Sequence, residues 1–422
     1  MNRLAQFLHY AQKVFHLKTL LRATRDERPF AQIPTLPVLL SLLLGVVVRS
    51  ASHHDLAQQT QRRRWQHLCG LKSSLSHDTF GYVTERLRLA DLRQSLVAAA
   101  KTLKANKALE SCKINGLLFL SLDANEHFKS RSRCCHSCCQ RQVEEADPQG
   151  HKHQVTEYYH RYVFAQINGP KINLLLDLEP IRPGEDECAA ALRLLGRVRR
   201  LYGPRFFDAV TADAWYAKGP FLQAVDRLGW GWIVVLKRQN MAVYQEAIQL
   251  SRGWKPGWAF EDEERDRQVR LWEVKDLLFS EGYARPVHVV RSEEQWVEKR
   301  VRGGQKRSQP RQSQWLWAAS ASLNGYAAPL VYQGGHRRWG IENKAFNELT
   351  QGYHLEHCYH HEPQAMLAQM LILMLGFLLF TAFAQLHSQG VRLGQITLKA
   401  LAHELDLALE EDLPWNQWFH SG

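Results

Sequence analysis

Residues 206–221 read FFDAVTADAWYAKGPF, and the fold turns on how this stretch is read. Residues 206–212 are a short apolar run of the kind a buried strand requires, and the run stops at Asp213. From Gly219 to Leu228 the spacing changes to that of a helix, with a proline near its start. Just beyond, WIVVL at residues 232–236 reads as another buried strand. Upstream, residues 187–201 form an amphipathic helix whose apolar face carries Ala190, Leu192, Leu194, Leu195 and Val198. Two strand-like runs precede it, 158–167 and 172–178, separated by the turn signal Asn168-Gly169-Pro170. Before these lies LLFLSL at residues 117–122, which ends at Asp123. The order is three strands, helix, strand, helix, strand, with acids closing the first and fourth strands.

The flanking regions read differently. Residues 1–110 are mostly helical, broken by Pro34 and Pro37. Arg62-Arg63-Arg64-Trp65 leads to Gly70, and a further helical run over 78–96 can be capped by Ser76 or Asp78. This suits a helix-turn-helix or two packed helices with no DNA contact. Over residues 240–327, short alternating runs at 269–271, 287–289 and 315–317 predict strands joined by polar turns. Between the last two, residues 299–311 (KRVRGGQKRSQPR) carry six basic residues and no acid. They read as a solvated hairpin tip or a phosphate-contacting loop, with Lys306, Arg307 and Arg311 as the contacts. Residues 337–351 are a helical run containing Glu342. The expected organisation is a helical DNA-binding region (1–112), a catalytic core in two parts (113–240 and 329–422), and a β-rich insertion (241–328).

The chain has 422 residues, and Lys plus Arg outnumber Asp plus Glu by 54 to 42, a formal charge of +12. Such a surface attracts polyanions, nucleic acid first among them. With 45% hydrophobic and 23% charged residues, composition excludes a disordered or collagen-like chain. Residues 36–48 are too short an apolar run to cross a membrane; residues 366–384 are long enough. The latter lack flanking basic clusters or an aromatic belt, so a core helix is expected and no membrane partner. Four of eight cysteines crowd into residues 134–139, which suits metal binding in a reducing cytosol better than disulfides.

Asp123, Asp213 and Glu342 form the constellation that carries chemistry. Carboxylates suit hard Mg²⁺ or Mn²⁺ ions, and a pair of such ions can serve phosphodiester cleavage. Each acid sits at the element where an RNase H-like nuclease core has one, so the expected fold class is α+β or α/β. Its mixed sheet is flanked by helices, with a helical N-terminal region and a β-rich insertion before the catalytic helix. Glu126, Glu179 and Glu187 flank the site and read as solvated or capping acids. Lys237 and Arg238 follow the last central strand and suit phosphate contact. Trp215 reads as a packing residue before a base-stacking one.

In SLDANEHFKS, FFDAVTADAWYAKGPF and RRWGIENKAFNEL the sequence resembles the DDE transposases of bacterial insertion sequences, within or near the insertion sequence four group. The resemblance implies Asp123, Asp213 and Glu342 as metal ligands and Arg338, beside Arg337, as a DNA contact. The group's Tyr and Lys positions around this Arg-x-x-x-Glu pattern hold Gly335 and Leu349. It further implies metal-dependent cleavage and strand transfer on double-stranded DNA, namely terminal inverted repeats and target. A homodimer on DNA in a prokaryotic, nucleoid-associated setting follows from the same resemblance. The alternative is a domesticated DNA-binding protein or nuclease descended from such an enzyme. Separately, Cys135-x-x-Cys138 is half of a structural Zn²⁺ site. His357 and His361 are expected to complete it, with His160, Cys134 and Cys139 as other partners and unligated thiols as the alternative.

Overall fold

The computed structural model describes residues 2–280, 282–302 and 305–410; for residues 299–302, 305–307 and 342–344 it describes the backbone alone. Among the described residues, ten strands form one mixed sheet. They are β1 (Phe119–Ser130), β2 (Cys139–Ala146), β3 (Lys152–Asn168), β4 (Asn173–Pro180), β5 (Ala209–Ala212), β6 (Gly231–Val235), β7 (Trp258–Asp262), β8 (Arg267–Ser280), β9 (Tyr283–Arg302) and β10 (Gln305–Ser320). The order is β2-β3-β1-β5-β6-β10-β9-β8-β7, and β4 pairs with the end of β3 that β2 leaves open. β1, β5 and β6 are mutually parallel, and the remaining pairs are antiparallel. Strands buried on both faces need continuous apolar sequence, which AVTA of β5 and GWIVV of β6 supply. The RNase H-like arrangement read from the sequence is therefore the centre of the sheet.

One face carries the helices Glu187–Tyr202, Gly219–Arg227 and Pro363–Ala382, in a continuous core running from Leu4 to Leu409. The other face is covered by the helix Ala328–Arg337, packed on Phe119, Ile233 and Trp317. The helix Pro363–Ala382 is apolar all round and buried along its length, as an interior helix should be. Glu362 caps it, accepting from the Ala365 N–H at 2.8 Å. It crosses the other apolar helix, Thr35–Val47, at Gly376, where an added Cβ would lie 2.7 Å from Val46 Cγ1.

Three features depart from the sequence reading. The run expected as one helix over 78–96 is two, His77–Thr84 and Leu89–Ala105. Between them the backbone leaves the helix to pair Leu87 with Asp26, and Ser76 provides the cap. Two of the three arginines before Trp65 face the protein, Arg62 pairing with Glu410 at 2.8 Å and Arg64 donating to the Ala408 carbonyl, while Arg63 is exposed. Lastly, the insertion continues the central sheet, because Trp317, Ala318 and Ala319 of β10 pair with Val235, Val234 and Ile233 of β6. The basic run is correspondingly strand, paired as far as Arg302 and Gln305; residues 303–304 lie outside the described ones.

Candidate active site

Asp123 and Asp213 meet through the register of two neighbouring strands. Phe119, Leu120 and Ser121 of β1 face Ala209, Val210 and Thr211 of β5 in parallel, and each acid follows two residues later. Adjacent strands are about 4.8 Å apart, so the two carboxylates emerge side by side. The Leu118 N–H donates to Asp208 at 2.7 Å and fixes this register from the other end. Asp213 closes its strand, and its Oδ1 accepts from the Trp215 N–H at 2.8 Å to cap a short turn, Ala214–Tyr216. Asp123 does not close its strand, because β1 continues as the partner of β3, with Asp123 facing Phe164.

The third acid comes from a later segment of the chain. The helix Ala328–Arg337 ends in a turn, and the backbone resumes as a π-helical turn, Ile341–Phe346, which holds Glu342. Such turns recur at functional sites. The Glu342 side chain lies outside the described residues. Arg338, four residues earlier and 3% exposed, donates from Nη1 to Asp123 Oδ2 at 3.4 Å. A chain of buried polar groups secures this approach. The Gln166 amide donates to Asn168 Oδ1, and Asn168 Nδ2 donates to Ser121 Oγ at 2.8 Å and to the Arg337 carbonyl at 3.1 Å. Ser121 and Thr211 are joined at 3.0 Å. Thus β3, β1, β5 and the end of the helix are tied under the acids. Asn168, read from sequence as a turn residue, is the centre of that knot.

Of the acids read as solvated or capping, Glu187 lies in the first turn of its helix, and each of the three is held by an arginine. Glu126 binds Arg141 at 2.9 Å, Glu179 binds Arg193 at 2.8 Å, and Glu187 binds Arg161 at 2.7 Å. Tyr216 is buried beside them; burial first, then the Glu187 and Asp123 carboxylates, push its pKa well above 10, so it stays a neutral phenol. Trp215 is 47% exposed rather than packed, and its indole donates to Asp186 at 3.1 Å.

Among the basic residues, Lys237 and Arg238 stand exposed beyond β6. Arg337 lines a cavity of about 510 Å³ with Lys113, Arg265, Tyr332 and Trp339. Arg311 is paired with Glu298 at 2.9 Å. The Lys306 and Arg307 side chains lie outside the described residues. Gly335, where the resembling group has Tyr, sits against Trp317; an added Cβ would lie 2.3 Å from its Nε1. Fully buried Glu294, which accepts from His336 Nε2 at 2.7 Å and pairs with Arg265 at 3.2 Å and with Arg267, was not singled out from sequence. An acid on the inward side of a strand was its one available signal.

Cys135, Cys138, His160 and His361 bring their ligand atoms within 4.8 Å of one another. His160 takes the place expected for His357. Residues 354–362 are not helical, so His357 and His361 do not share a helix face; His357 packs edge-on against Tyr359 at 4.7 Å. Cys134 is exposed, and the Cys139 thiol turns to the Ile181 carbonyl. Burial, then the neighbouring His361 and His136, hold His160 down at about 4, which keeps it a neutral imidazole.

The family model described as Transposase DDE domain matches residues 147–379, more than half of the chain. The match contains Asp213 and Glu342 and begins after Asp123. Among solved structures, the chain is similar to a cryo-electron microscopy structure of a piggyBac transposase synaptic complex with hairpin DNA. Identity is 14% and the TM-score 0.44, covering 96% of this chain and 80% of that one. No match is found among curated protein sequences.

Proposed function

Because the chain belongs to the DDE transposases, enzymes that act on DNA, we propose that it cuts and joins DNA at the ends of an insertion sequence, with Asp123, Asp213 and Glu342 as its acids. The observation that carries this reading is the emergence of Asp123 and Asp213 from adjacent parallel strands, with Arg338 brought to Asp123 from the segment that holds Glu342. Two carboxylates so placed fit Mg²⁺ or Mn²⁺, which take hard oxygen donors. Bound there, such ions supply Lewis acidity at phosphorus and lower the pKa of water.

The chain's own residues do the positioning. Arg338 holds the Asp123 carboxylate and sets a buried cation where a phosphate would approach. The Asn168 amide keeps the Arg337–Arg338 carbonyls, and so the start of the Glu342 turn, in register with the strands. Exposed Lys237 and Arg238 suit the DNA backbone. In the reaction, water attacks the phosphodiester at the element's end and a 3′-hydroxyl leaves. That hydroxyl then attacks a target phosphodiester, forming a new 3′-O–P bond and releasing the target strand's 3′-oxygen. Both are displacements at phosphorus, so one site serves both. A homodimer holding two ends, working beside the bacterial nucleoid, is part of the same proposal.

The test is cleavage of labelled end DNA with Mg²⁺. Asp213→Asn keeps the shape and removes a charge, so cleavage and joining should fall by at least about a thousandfold while end-binding survives. Near wild-type cleavage by that variant would sink the assignment.

A further inference from the structure

The Cys135, Cys138, His160 and His361 cluster is spaced as the corners of a tetrahedron. With Zn–S bonds of about 2.3 Å and Zn–N bonds of about 2.0–2.1 Å, the corners of a Zn²⁺ site lie about 3.8 Å apart for S···S, about 3.5 Å for S···N and about 3.4 Å for N···N. Here Cys135 Sγ and Cys138 Sγ are 3.7 Å apart. His160 Nε2 is 3.5 Å from Cys135 Sγ and 3.3 Å from Cys138 Sγ. His361 Nε2 is 3.4 Å from Cys138 Sγ and 3.4 Å from His160 Nε2. Five of the six edges agree with one coordination shell, and the sixth, Cys135 Sγ to His361 Nε2, lies within 4.8 Å. The Cys135 N–H also points at Cys138 Sγ, at 3.3 Å, and the Cys138 N–H donates back to the Cys135 carbonyl at 3.1 Å. This turn aims both sulfurs at one point.

We infer that these four side chains bind one Zn²⁺ as a closed structural site. Two thiolates and two neutral imidazoles fill all four tetrahedral positions, which leaves no place for a reacting water. The site is also separate from the acids. In the β1–β3 ladder Asp123 faces Phe164, whereas His127 faces His160, four residues further on; that is roughly 13 Å along the strand. This assignment stands whether or not the chain acts on DNA.

The ligands come from the β1–β2 turn, from β3 and from the segment that enters the helix Pro363–Ala382. A bound ion therefore staples the outer half of the sheet to the chain that follows Glu342. The local backbone is shaped around this junction. β1 bulges between His127 and Lys129, with Phe128 at φ 54°, and the Phe128 ring lies 4.5 Å from that of His361. A non-glycine residue in the left-handed region needs outside support, which the His361 contact and the metal shell provide.

The experiment measures zinc by elemental analysis in full-length protein purified without chelator from zinc-supplemented culture. About one zinc per chain is expected, lost in Cys135→Ser and in His361→Gln and retained in His357→Gln. Cobalt replacement guards against variants that fail to fold: wild-type protein loaded with Co²⁺ should show the intense visible bands of tetrahedral thiolate coordination. Zinc-free wild-type protein, an octahedral Co²⁺ spectrum, zinc retained by the folded Cys135→Ser variant, or zinc lost from folded His357→Gln would each overturn the site.

Discussion

Glu294 shows most directly what one side chain can carry here. Burial on its own would raise its pKa, but His336, Arg265 and Arg267 outweigh it and hold the carboxyl at about 2, below the ordinary 4.5. Burial also keeps the His336 pKa below its usual 6.5, so the two arginines supply the permanent charge that Glu294 answers. A depressed carboxyl contributes stability in full above pH 4.5, and that contribution drains away as the pH falls towards 2. Glu294→Gln should therefore cost about 3 kcal/mol near neutrality, with the deficit shrinking below pH 4.5. Urea unfolding of both proteins across that range checks it; equal midpoints at pH 7 would refute it. Asp123 and Asp213 were legible in the sequence because an acid ending an apolar run is conspicuous. Asn168 and Glu294 were not, since a buried polar residue is explained only by partners distant along the chain, here Ser121 and Arg337, or His336 and Arg265.

Among the elements, the β9–β10 ribbon bears the clearest expectation. Its paired strands set Arg300 opposite Arg307 and Lys299 opposite Ser308. Like charges facing across a ladder are unfavourable unless an anion lies between or beside them. A phosphate backbone is the polyanion such a basic run suits. Replacing Lys306 and Arg307 together by Ala should flatten the slope of log affinity against log salt by about 2, while Arg311→Ala, already paired with Glu298, should change it little. An unchanged slope for the double variant on end DNA would make the ribbon a bystander. β1 runs eight residues past its expected end and β3 starts six residues early, whereas β4, β5 and β6 and the helices Glu187–Tyr202 and Gly219–Arg227 were read within a few residues from periodicity. β2, β7 and the helix Ala242–Leu250 were not, because β2 and β7 are half-exposed strands whose polar sequence takes its order from a neighbour.

For the whole molecule, the decisive feature is that the larger of its two core clusters runs from Leu4 to Leu409. The N-terminal helices Thr35–Val47, His77–Thr84 and Leu89–Ala105 cover themselves with the helix Pro363–Ala382. Residues 1–112 expressed alone should accordingly lack fixed tertiary packing, seen as rapid hydrogen exchange where the full chain is protected. Slow exchange in the fragment would make that region an autonomous body. The sequence suggested boundaries because composition changes along it, but a composition change does not show which surfaces cover each other. The first helix, Arg3–Phe15, is closed over by the last described one, Leu398–Glu410, through contacts that include Arg3 with Glu404 at 2.8 Å. A chain cut short before Leu398 therefore leaves uncovered the apolar surface of Arg3–Phe15 that Leu398–Glu410 closes over. Such a truncated product shows bare apolar side chains to water, the kind of surface that drives aggregation.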